Sequence, residues 1–293
     1  MPRILLLLLA LLLNGCALLE LQRAHQELEI SDDVAYFSDQ NPRHRLDIIM
    51  PRGAKRVPVV FFVHGGYWNS QDKAYYRPFT GLYANVGLAL ARRGIGTVIA
   101  DYRIYPEVGI EGELEDLSRA LRWTQERIWR YGGDPRSLVL AGHSAGGHMV
   151  ALLGLEGERL RAAGVETDWI RGLVPMSPIL DLAHMEKFQD AGFNASTTYP
   201  VFGREPANWE KYSPVSYFRK PMPPMFVLYG EKDFDYLVAQ NQLARTRLQQ
   251  LGAPAEYLVV PGYRHEDMVL RFGLPDDPII PALADFVFRV TGG

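Results

Sequence analysis

A serine between two glycines follows an apolar run in the middle of the chain. The run at 138–141 leads into Gly-His-Ser-Ala-Gly at 142–146, a G-x-S-x-G pattern. The apolar run is typical of a buried strand, and a sharp turn from strand to helix would hold the Ser144 hydroxyl exposed in a strained conformation. Such a turn has no room for side chains two residues to either side, where Gly142 and Gly146 stand. We interpret Ser144 as a nucleophile.

A serine hydroxyl is a poor nucleophile, so this chemistry also needs a base and an acid that orients the base. Asp233 follows the predicted strand at 225–229, and His265 follows the predicted strand at 255–260. Of the seven histidines in the chain, only His265 lies downstream of Asp233. Because loops that leave the carboxyl ends of parallel strands lie along one edge of the sheet, we expect Ser144, Asp233 and His265 to converge.

Two other acidic residues, Glu231 and Asp235, lie on the same loop as Asp233. Acidic side chains on such loops are more often merely solvated. Asp233 directly follows the strand in a Gly-x-x-Asp sequence. We therefore prefer Asp233 as the acid, with Asp235 as its main competitor and Glu231 as a weaker one.

Backbone N–H groups that could bind a developing negative charge are predicted at two places. One is the N–H of Ala145, which opens the helix after the serine, where N–H groups are unsatisfied and the helix dipole is positive. The other is His-Gly-Gly-Tyr-Trp at 64–68, which we call the glycine loop, directly after the predicted strand at 57–63. Its two successive glycines let the backbone approach a ligand and turn its N–H groups inward. Together these groups would form an oxyanion hole.

Three bulky side chains at these turns have less certain roles. His64 is expected to brace the glycine loop by hydrogen bonds rather than to act as a base. Trp68 and His143 are candidates for the wall of a substrate pocket, and for each the alternative is a structural role in the core.

The elements that must position these residues alternate along the chain. Predicted helices at 79–93 and 111–130 separate the predicted strands, which favours a parallel sheet with helices on both faces. The aromatic-rich segment at 183–224 breaks the alternation, and it is either a cap that covers substrate or a structural excursion. We favour the cap. The predicted class is α/β, with a mostly parallel central sheet, helices on both faces and a short cap insertion.

The composition restricts the classes of partner and cofactor that the protein is expected to bind. The chain has 293 residues, a net charge of −3 and no run of Lys and Arg interleaved with aromatics, which argues against a nucleic-acid surface and favours a small-molecule partner. The only cysteine is Cys16, so no internal disulfide or thiolate metal cluster is expected. The sequence after His265 lacks the second histidine of an H-E-x-x-H zinc site. We expect no cofactor and no metal.

The amino terminus has the features of an export signal. A positive charge at Arg3 precedes an apolar run at 4–13, which is too short to cross a bilayer core that needs about 20 residues. The Leu-Asn-Gly-Cys sequence that ends at Cys16 is similar to a bacterial lipoprotein processing site, which implies lipid on Cys16. Ala17 resembles the residue found in lipoproteins sent to the outer membrane. An uncleaved anchor or a misplaced start site are the alternatives.

These features divide the chain into three parts. We expect a lipoprotein-type signal peptide at 1–15, a tether at 16–31 and one catalytic domain at 32–293 with its cap segment at about 183–224. The expected location is the bacterial cell envelope, with the protein anchored by lipid to the outer membrane and facing the periplasm. The oligomeric state is not readable from the sequence.

Several motifs in order give the chain a family resemblance from about Arg45 to Phe288. It resembles the α/β-hydrolase superfamily, in the esterase/lipase branch that contains feruloyl-esterase-like domains, kynurenine formamidases and isoprenylcysteine methylesterases. The motifs are His-Gly-Gly-Tyr-Trp at 64–68, Asp-Tyr-Arg at 101–103, Gly-Gly-Asp-Pro at 132–135, Gly-His-Ser-Ala-Gly-Gly at 142–147, Gly-x-x-Asp at 230–233 and Pro-Gly-x-x-His at 261–265.

The resemblance implies a serine hydrolase that acts on a carboxylic ester. In the related loop of lipases and esterases the oxyanion donors follow the histidine, which implies the N–H groups of Gly66 and Tyr67, with Gly65 supporting the turn. The glycine loop is also similar to that of kynurenine formamidases, so cleavage of an aryl formamide is the alternative activity. An alternative of another class is a lipid-tethered binding protein that has the fold without the chemistry.

Overall fold

An eight-stranded sheet runs through the domain, and the computed structural model describes residues 26–75 and 81–292. The strands are β1 (Leu28–Ala35), β2 (Arg45–Pro51), β3 (Val57–Val63), β4 (Gly96–Ala100), β5 (Gly133–His143), β6 (Ile170–Met176), β7 (Met225–Gly230) and β8 (Ala255–Val260). They lie in the order β1-β2-β4-β3-β5-β6-β7-β8. β1 pairs with β2, and β2 with β4, in antiparallel fashion, and all the other pairs are parallel.

Helices cover both faces of this sheet. The helices of the described residues are α1 (Ala84–Ala91), α2 (Ile110–Arg127), α3 (Ala145–Glu156), α4 (Glu158–Ala162), α5 (Leu182–Phe188), α6 (Ala191–Phe193), α7 (Tyr199–Phe202), α8 (Pro206–Lys211), α9 (Asp235–Gln250), α10 (Asp267–Leu270) and α11 (Ile279–Thr291). Apolar side chains of α2, α3 and α9 belong to the core on one face, and those of α1 and α11 to the core on the other. Of the helix predicted at 79–93, the structure has 84–91, and residues 79 and 80 lie outside the described part.

The central strands are apolar because they are buried on both faces. All five residues of β4 are buried, and β3 reads Val-Pro-Val-Val-Phe-Phe-Val. Side chains alternate between the two cores, so that Phe61 and Val63 pack on one face and Val60 and Phe62 on the other. The predicted class, a mostly parallel sheet with helices on both faces, is confirmed.

The first strand differs from the prediction. Residues 28–31, which we assigned to the tether, belong to β1, where Leu28 pairs with Pro51 and Ile30 with Ile49. The strand could not be recognised from the sequence because the segment is polar. β1 is an edge strand, and only Leu28 in it is fully buried. The predicted boundary at residue 32 therefore falls inside a strand of the domain.

The segment at 183–224 contains short helices that pack beside the sheet. Four of its aromatic side chains are buried in the domain core: Phe202, Trp209, Tyr212 and Phe218. Phe193 touches the glycine loop, with its ring centroid 5.7 Å from that of Tyr67. Phe188, in contrast, is 63% exposed. Much of the segment is therefore a structural part of the domain.

The predicted signal peptide at 1–15 and the predicted lipidation site at Cys16 lie outside the described residues. In the described part of the chain, no helix combines the length and the apolar character that crossing a bilayer requires.

Candidate active site

Ser144 stands at the turn between β5 and α3 in a strained conformation. Its φ of 56° and ψ of −119° lie outside the regions that L-residues favour. Its backbone N–H donates to the Met176 carbonyl at 2.8 Å, which fixes the turn against β6. The side chain of Ser144 is therefore presented at the carboxyl end of the central strand.

Steric contacts explain the glycines on either side of Ser144. A Cβ on Gly142 would lie 2.5 Å from the carbonyl oxygen of Gly146. A Cβ on Gly146 would lie 2.2 Å from the carbonyl oxygen of Val63. These atoms belong to the backbone and cannot move aside as a flexible side chain would, so the turn requires glycine at both positions.

His265 and Asp233 are brought together at the ends of β8 and β7. The Nδ1 of His265 lies 2.8 Å from Oδ1 of Asp233, and both side chains are buried. Asp233 also accepts hydrogen bonds from the Ser177 hydroxyl and from the N–H of Phe234 at 2.7 Å. Burial alone would raise the pKa of Asp233, but the hydrogen bond and charge of His265, with the help of Ser177, outweigh it and hold that pKa below its usual value.

The two competing acids lie elsewhere. Asp235 is exposed at the first position of α9. Glu231 is exposed and accepts a hydrogen bond from the N–H of Gly262 at 2.8 Å. Of the three acidic candidates, Asp233 is the one whose carboxylate contacts His265.

Ser144 and His265 line the same cavity, which has a volume of about 250 Å³. The lining residues come from the glycine loop and the segment that follows it, from the Ser144 turn, and from the loop after β8 with the helix α10. They are Gly66, Tyr67, Gln71, Tyr75, Leu82, Tyr83, His143, Ser144, His265, Glu266, Val269 and Leu270. Because Asp233 holds Nδ1 of His265, the other nitrogen, Nε2, is the one that can take a proton. None of these lining residues belongs to the 183–224 segment.

The glycine loop presents unbonded N–H groups to this cavity. Among the described residues, no acceptor is bonded to the backbone N–H of Gly66, Tyr67 or Ala145. The N–H of Gly65, by contrast, donates to the Tyr83 hydroxyl at 3.1 Å. Gly65 is therefore fixed as part of the turn, and the N–H groups assigned from the sequence as oxyanion donors are available, as is that of Trp68, among the described residues.

Backbone geometry keeps these donors in place. Gly66 has a φ of 115°, and a Cβ there would lie 2.1 Å from the carbonyl oxygen of Ser70. That same Ser70 donates its N–H and its hydroxyl to the carbonyl of Gly66. Tyr67 and Trp68 follow with φ values of 55° and 62°. Successive backbone N–H groups in a turn can form a concavity that binds an anion.

His64 braces the loop through both of its ring nitrogens. Nδ1 donates to the carbonyl of Gly65 at 2.7 Å, and Nε2 lies 3.0 Å from Oδ1 of Asp101, without hydrogen-bond alignment. The ring of Tyr102 stacks on His64 with a centroid distance of 4.4 Å. The side chain of His64 is fully buried and does not line the cavity.

His143 lines the cavity and also holds the loop that carries His265. Its Nε2–H donates to the backbone carbonyl of His265 at 3.0 Å, and the two ring centroids are 4.6 Å apart. Burial, followed by the charge of His265, lowers the pKa of His143 well below its usual value. His143 is therefore a neutral hydrogen-bond donor to the main chain of the base.

Trp68 does not lie in the pocket wall, where we placed it as a candidate. It is 1% exposed and is absent from the lining of the cavity. Its indole N–H donates to Nδ1 of His148 at 3.2 Å, and its ring meets Phe202 edge-on at 4.9 Å. Trp68, the last residue of the glycine loop, therefore points into the core and anchors the loop to α3.

Some contributors were missed in the sequence. Ser177, Tyr83 and Asp101 hold Asp233, Gly65 and His64 respectively. Asp101 and Ser177 directly follow the carboxyl ends of β4 and β6, so the rule that placed Asp233 could have placed them at the same edge. Tyr83 directly precedes α1 and does not follow a strand, so the same rule could not have placed it at this edge. Within residues 26–75 and 81–292, no group of three or more His, Cys, Asp or Glu side chains could hold a metal ion.

The sheet order and the site at its carboxyl edge define an α/β-hydrolase fold. Solved structures of esterases share it. A truncated carbohydrate esterase from gut microbiota superimposes with a TM-score of 0.76 over 90% of this chain and 97% of that one, at 21% identity. At this level of identity the likeness shows the fold alone.

The chain belongs to the BD-FAE family, whose sequence model matches residues 46–248. It is 29% identical over 249 residues to an isoprenylcysteine α-carbonyl methylesterase of Arabidopsis thaliana, covering 80% of this chain and 56% of the relative. It is 25% identical over 232 residues to a kynurenine formamidase of Drosophila melanogaster, covering 76% of this chain and 71% of that relative. The chain spans a little over half the length of the methylesterase.

Proposed function

We propose that this protein is a serine hydrolase that cleaves carboxylic esters through a Ser144–His265–Asp233 triad and an acyl-enzyme intermediate. One observation carries the proposal. The strained Ser144 and the Asp233-held His265 line a single cavity, beside N–H groups that have no acceptor among the described residues. Family membership and the esterase names of the relatives support the ester as the bond that is cleaved.

In the first half of the reaction, Ser144 Oγ attacks the ester carbonyl carbon while its proton passes to Nε2 of His265. The carbonyl oxygen becomes an oxyanion and accepts hydrogen bonds from the N–H groups of Gly66, Tyr67 and Ala145. Collapse of this intermediate breaks the C–O bond to the alcohol, which leaves with the proton from Nε2. The acyl group stays on Ser144.

In the second half, water takes the place of the alcohol. His265 removes a proton from the water, whose oxygen attacks the acyl carbon and forms a second oxyanion at the same N–H groups. Collapse releases the carboxylic acid and returns the proton to Ser144. Asp233 stays ionised throughout, since its pKa is held low, and it stabilises the imidazolium that forms in each half.

The test is covalent labelling with a fluorophosphonate, combined with hydrolysis of p-nitrophenyl esters of graded chain length. We expect labelling of wild type, loss of labelling in Ser144→Ala, and loss of ester hydrolysis in both Ser144→Ala and His265→Gln. A folded wild-type protein that neither labels nor hydrolyses any ester of the series would instead support the binding-protein alternative.

Cleavage of an aryl formamide is the second candidate, favoured by the similarity to the Drosophila melanogaster enzyme. An amide nitrogen is a poorer leaving group than an alkoxide and needs the proton from His265 earlier. N-formylkynurenine assayed beside the p-nitrophenyl esters separates the two activities. A kcat/KM for the formamide that exceeds that of every ester would make the formamidase the main activity.

For the amino terminus we keep the proposal of lipid attachment at Cys16 and location in the bacterial envelope. The sequence features at 4–16 support it. Palmitate labelling of wild type and Cys16→Ser in growing cells is the test. Equal labelling of both proteins would end this proposal without affecting the ester chemistry.

A further inference from the structure

A tryptophan is exposed at the edge of the sheet opposite the candidate active site. Trp129 lies in a 3-10 turn (Ile128–Tyr131) just before β5, and 59% of its surface is exposed. Its indole N–H donates to the carbonyl of Glu126 at 3.0 Å, so its polar atom is already satisfied. What remains for solvent is the apolar body of the ring. Tryptophan side chains are enriched at the interface between a lipid bilayer and water.

Four cations surround this ring. Lys55, Arg56 and Arg136 line an open cavity of about 410 Å³ together with Trp129, and the guanidinium of Arg130 lies 5.4 Å from the ring centroid. All four cationic side chains are exposed. We call these residues, with Trp129, the basic-aromatic patch.

The positive charge of the patch is largely uncompensated. Arg56 pairs with Asp134 at 3.2 Å. Within the part of the chain that the structure describes, the cationic side chains of Lys55, Arg130 and Arg136 pair with no carboxylate, and only the backbone N–H of Arg136 donates to Asp134, at 3.0 Å. Arg136 lies instead against the ring of Trp169, at 5.5 Å. A surface that combines unpaired cations with an exposed indole suits an anionic lipid headgroup layer with apolar chains beneath it.

The amino-terminal segment leads to the same edge. Leu28, the first residue of β1, pairs with Pro51, and Arg52 donates to the carbonyl of Gln26 at 2.8 Å. The turn after Pro51 then carries Lys55 and Arg56. Gln26 lies ten positions after Cys16 in sequence, and a chain of that length spans at most about 35 Å. Any membrane that holds the amino terminus is therefore within reach of the patch.

We propose that the basic-aromatic patch docks the domain on an anionic membrane surface, with the catalytic edge turned away from the bilayer. The patch lies at the amino ends of β3 and β5, whereas Ser144 and His265 lie beyond the carboxyl ends of β5 and β8. Substrate then reaches the cavity from the aqueous side, and the enzyme works on water-borne esters rather than on lipids of the membrane that carries it. Docking of the patch is independent of the ester chemistry, whereas the access of substrate from water rests on the proposed function.

The test is flotation of the full chain, carrying Cys16→Ser so that attached lipid does not contribute, with phosphatidylcholine vesicles that contain or lack phosphatidylglycerol. The binding variant is K55Q/R130Q/R136Q, and the matched control removes three exposed cations of the opposite side, K187Q/R204Q/K232Q. Each cation near an anionic surface changes the partition by about fivefold, so we expect the first variant, which removes three, to lose roughly a hundredfold of its partition into anionic vesicles. The control should bind like the parent.

Two further readouts fix the orientation. Vesicles with brominated acyl chains should quench tryptophan fluorescence in the parent and less in Trp129→Phe. A bulky, membrane-impermeant fluorophosphonate should label Ser144 at the same rate on vesicles as in solution, and this labelling also reports that each variant is folded.

Other outcomes would overturn the proposal. They are partition that does not depend on phosphatidylglycerol or on salt, equal losses in the two triple variants, and labelling of Ser144 that falls on vesicle binding. Binding to a soluble polyanion such as heparin without binding to vesicles would equally reject a membrane as the partner. Because the amino-terminal run is common to all variants, its own affinity for lipid cancels in the comparison.

Discussion

The turn that carries Ser144 and the loop that carries His265 meet at one cavity, but they are held in place by different means. The Ser144 turn is fixed by backbone packing, since a Cβ on Gly146 would lie 2.2 Å from a carbonyl oxygen of β3. His265 itself is held by side chains, with Asp233 at its ring and His143 at its carbonyl, although the loop backbone just before it is packed against Gly230. At Gly262, in the same loop, a Cβ would meet nothing within 4 Å.

This difference predicts two kinds of sensitivity to mutation. Substitutions in the tightly packed turn should damage the fold and the activity together. Substitutions around His265 should change the rate while the fold persists, because the groups involved act on one side chain. Protein stability and reactivity, measured on the same variants, can therefore separate the two regions.

Among substitutions that leave Ser144 and His265 in place, the largest effect on rate is expected for Asp233→Asn. An amide cannot stabilise the imidazolium and favours the wrong tautomer of His265, which in a triad of this kind costs about four orders of magnitude in kcat. The thermal midpoint should change far less than the rate. Steady-state hydrolysis of a p-nitrophenyl ester, with thermal unfolding in parallel, gives both numbers.

Asp235→Asn is the matched control for Asp233→Asn, because it removes the same charge two residues away on an exposed side chain. It should retain activity close to that of wild type. If Asp235→Asn lost activity while Asp233→Asn kept it, the assignment of the acid would be wrong.

The second prediction compares one glycine from each region. Gly146→Ala forces a methyl group into the backbone of β3 and should destabilise the fold by about 3 kcal/mol or more, with loss of fluorophosphonate labelling. Gly262→Ala meets no atoms but keeps a φ of 75°, so it should cost only about 1–2 kcal/mol, from the left-handed conformation. Denaturant unfolding of the two variants measures the difference, and equal losses would contradict the proposed contrast.

The parts of this protein that could be predicted from sequence are those where the local structure requires one type of residue. The glycines around Ser144 and the apolar runs of β3 and β5 are of this kind, and they placed the central strands and the turn. Asp233 and His265 could be placed because the parallel topology collects strand ends at one edge. Their contact over 32 residues then follows from the fold.

The features that could not be predicted depend on tertiary contacts between distant residues. The polar edge strand β1 pairs through its backbone, so its side chains carry little pattern. Trp68 was ambiguous because a tryptophan beside a turn can face a pocket or the core. Its partner is His148, 80 residues further along the chain, and nothing in the local sequence joins them.

The contact between Trp68 and His148 predicts a pH dependence of stability. His148 is fully buried, accepts from Trp68 at Nδ1 and donates from Nε2 to the carbonyl of Tyr212 at 2.7 Å, so a proton on Nδ1 would oppose the indole N–H. Burial lowers the pKa of His148 from 6.5 to about 4. The unfolded chain therefore binds a proton that the folded protein does not, and stability is lost as the pH falls from about 6.5 towards 4, by at most about 3 kcal/mol.

His148→Gln is the variant that isolates this effect. Its carboxamide can still donate to Tyr212 but does not titrate, so the difference in unfolding free energy between wild type and variant should shrink as the pH falls through this window. Unfolding by denaturant at several pH values gives that difference. A difference that stays constant from pH 7 to pH 4.5 would show that His148 is not the titrating group.

The smallest effect is expected at His143, where the two regions touch. Loss of its hydrogen bond to the His265 carbonyl is worth about 1–2 kcal/mol, so His143→Leu should lower kcat by roughly five- to thirtyfold. The Nε2–H of a glutamine can reach the same carbonyl, so His143→Gln should recover most of the rate. If both variants lost the rate equally, the ring contact with His265 would be the more important one, and if neither did, the histidine loop would be held by Asp233 and its neighbours alone.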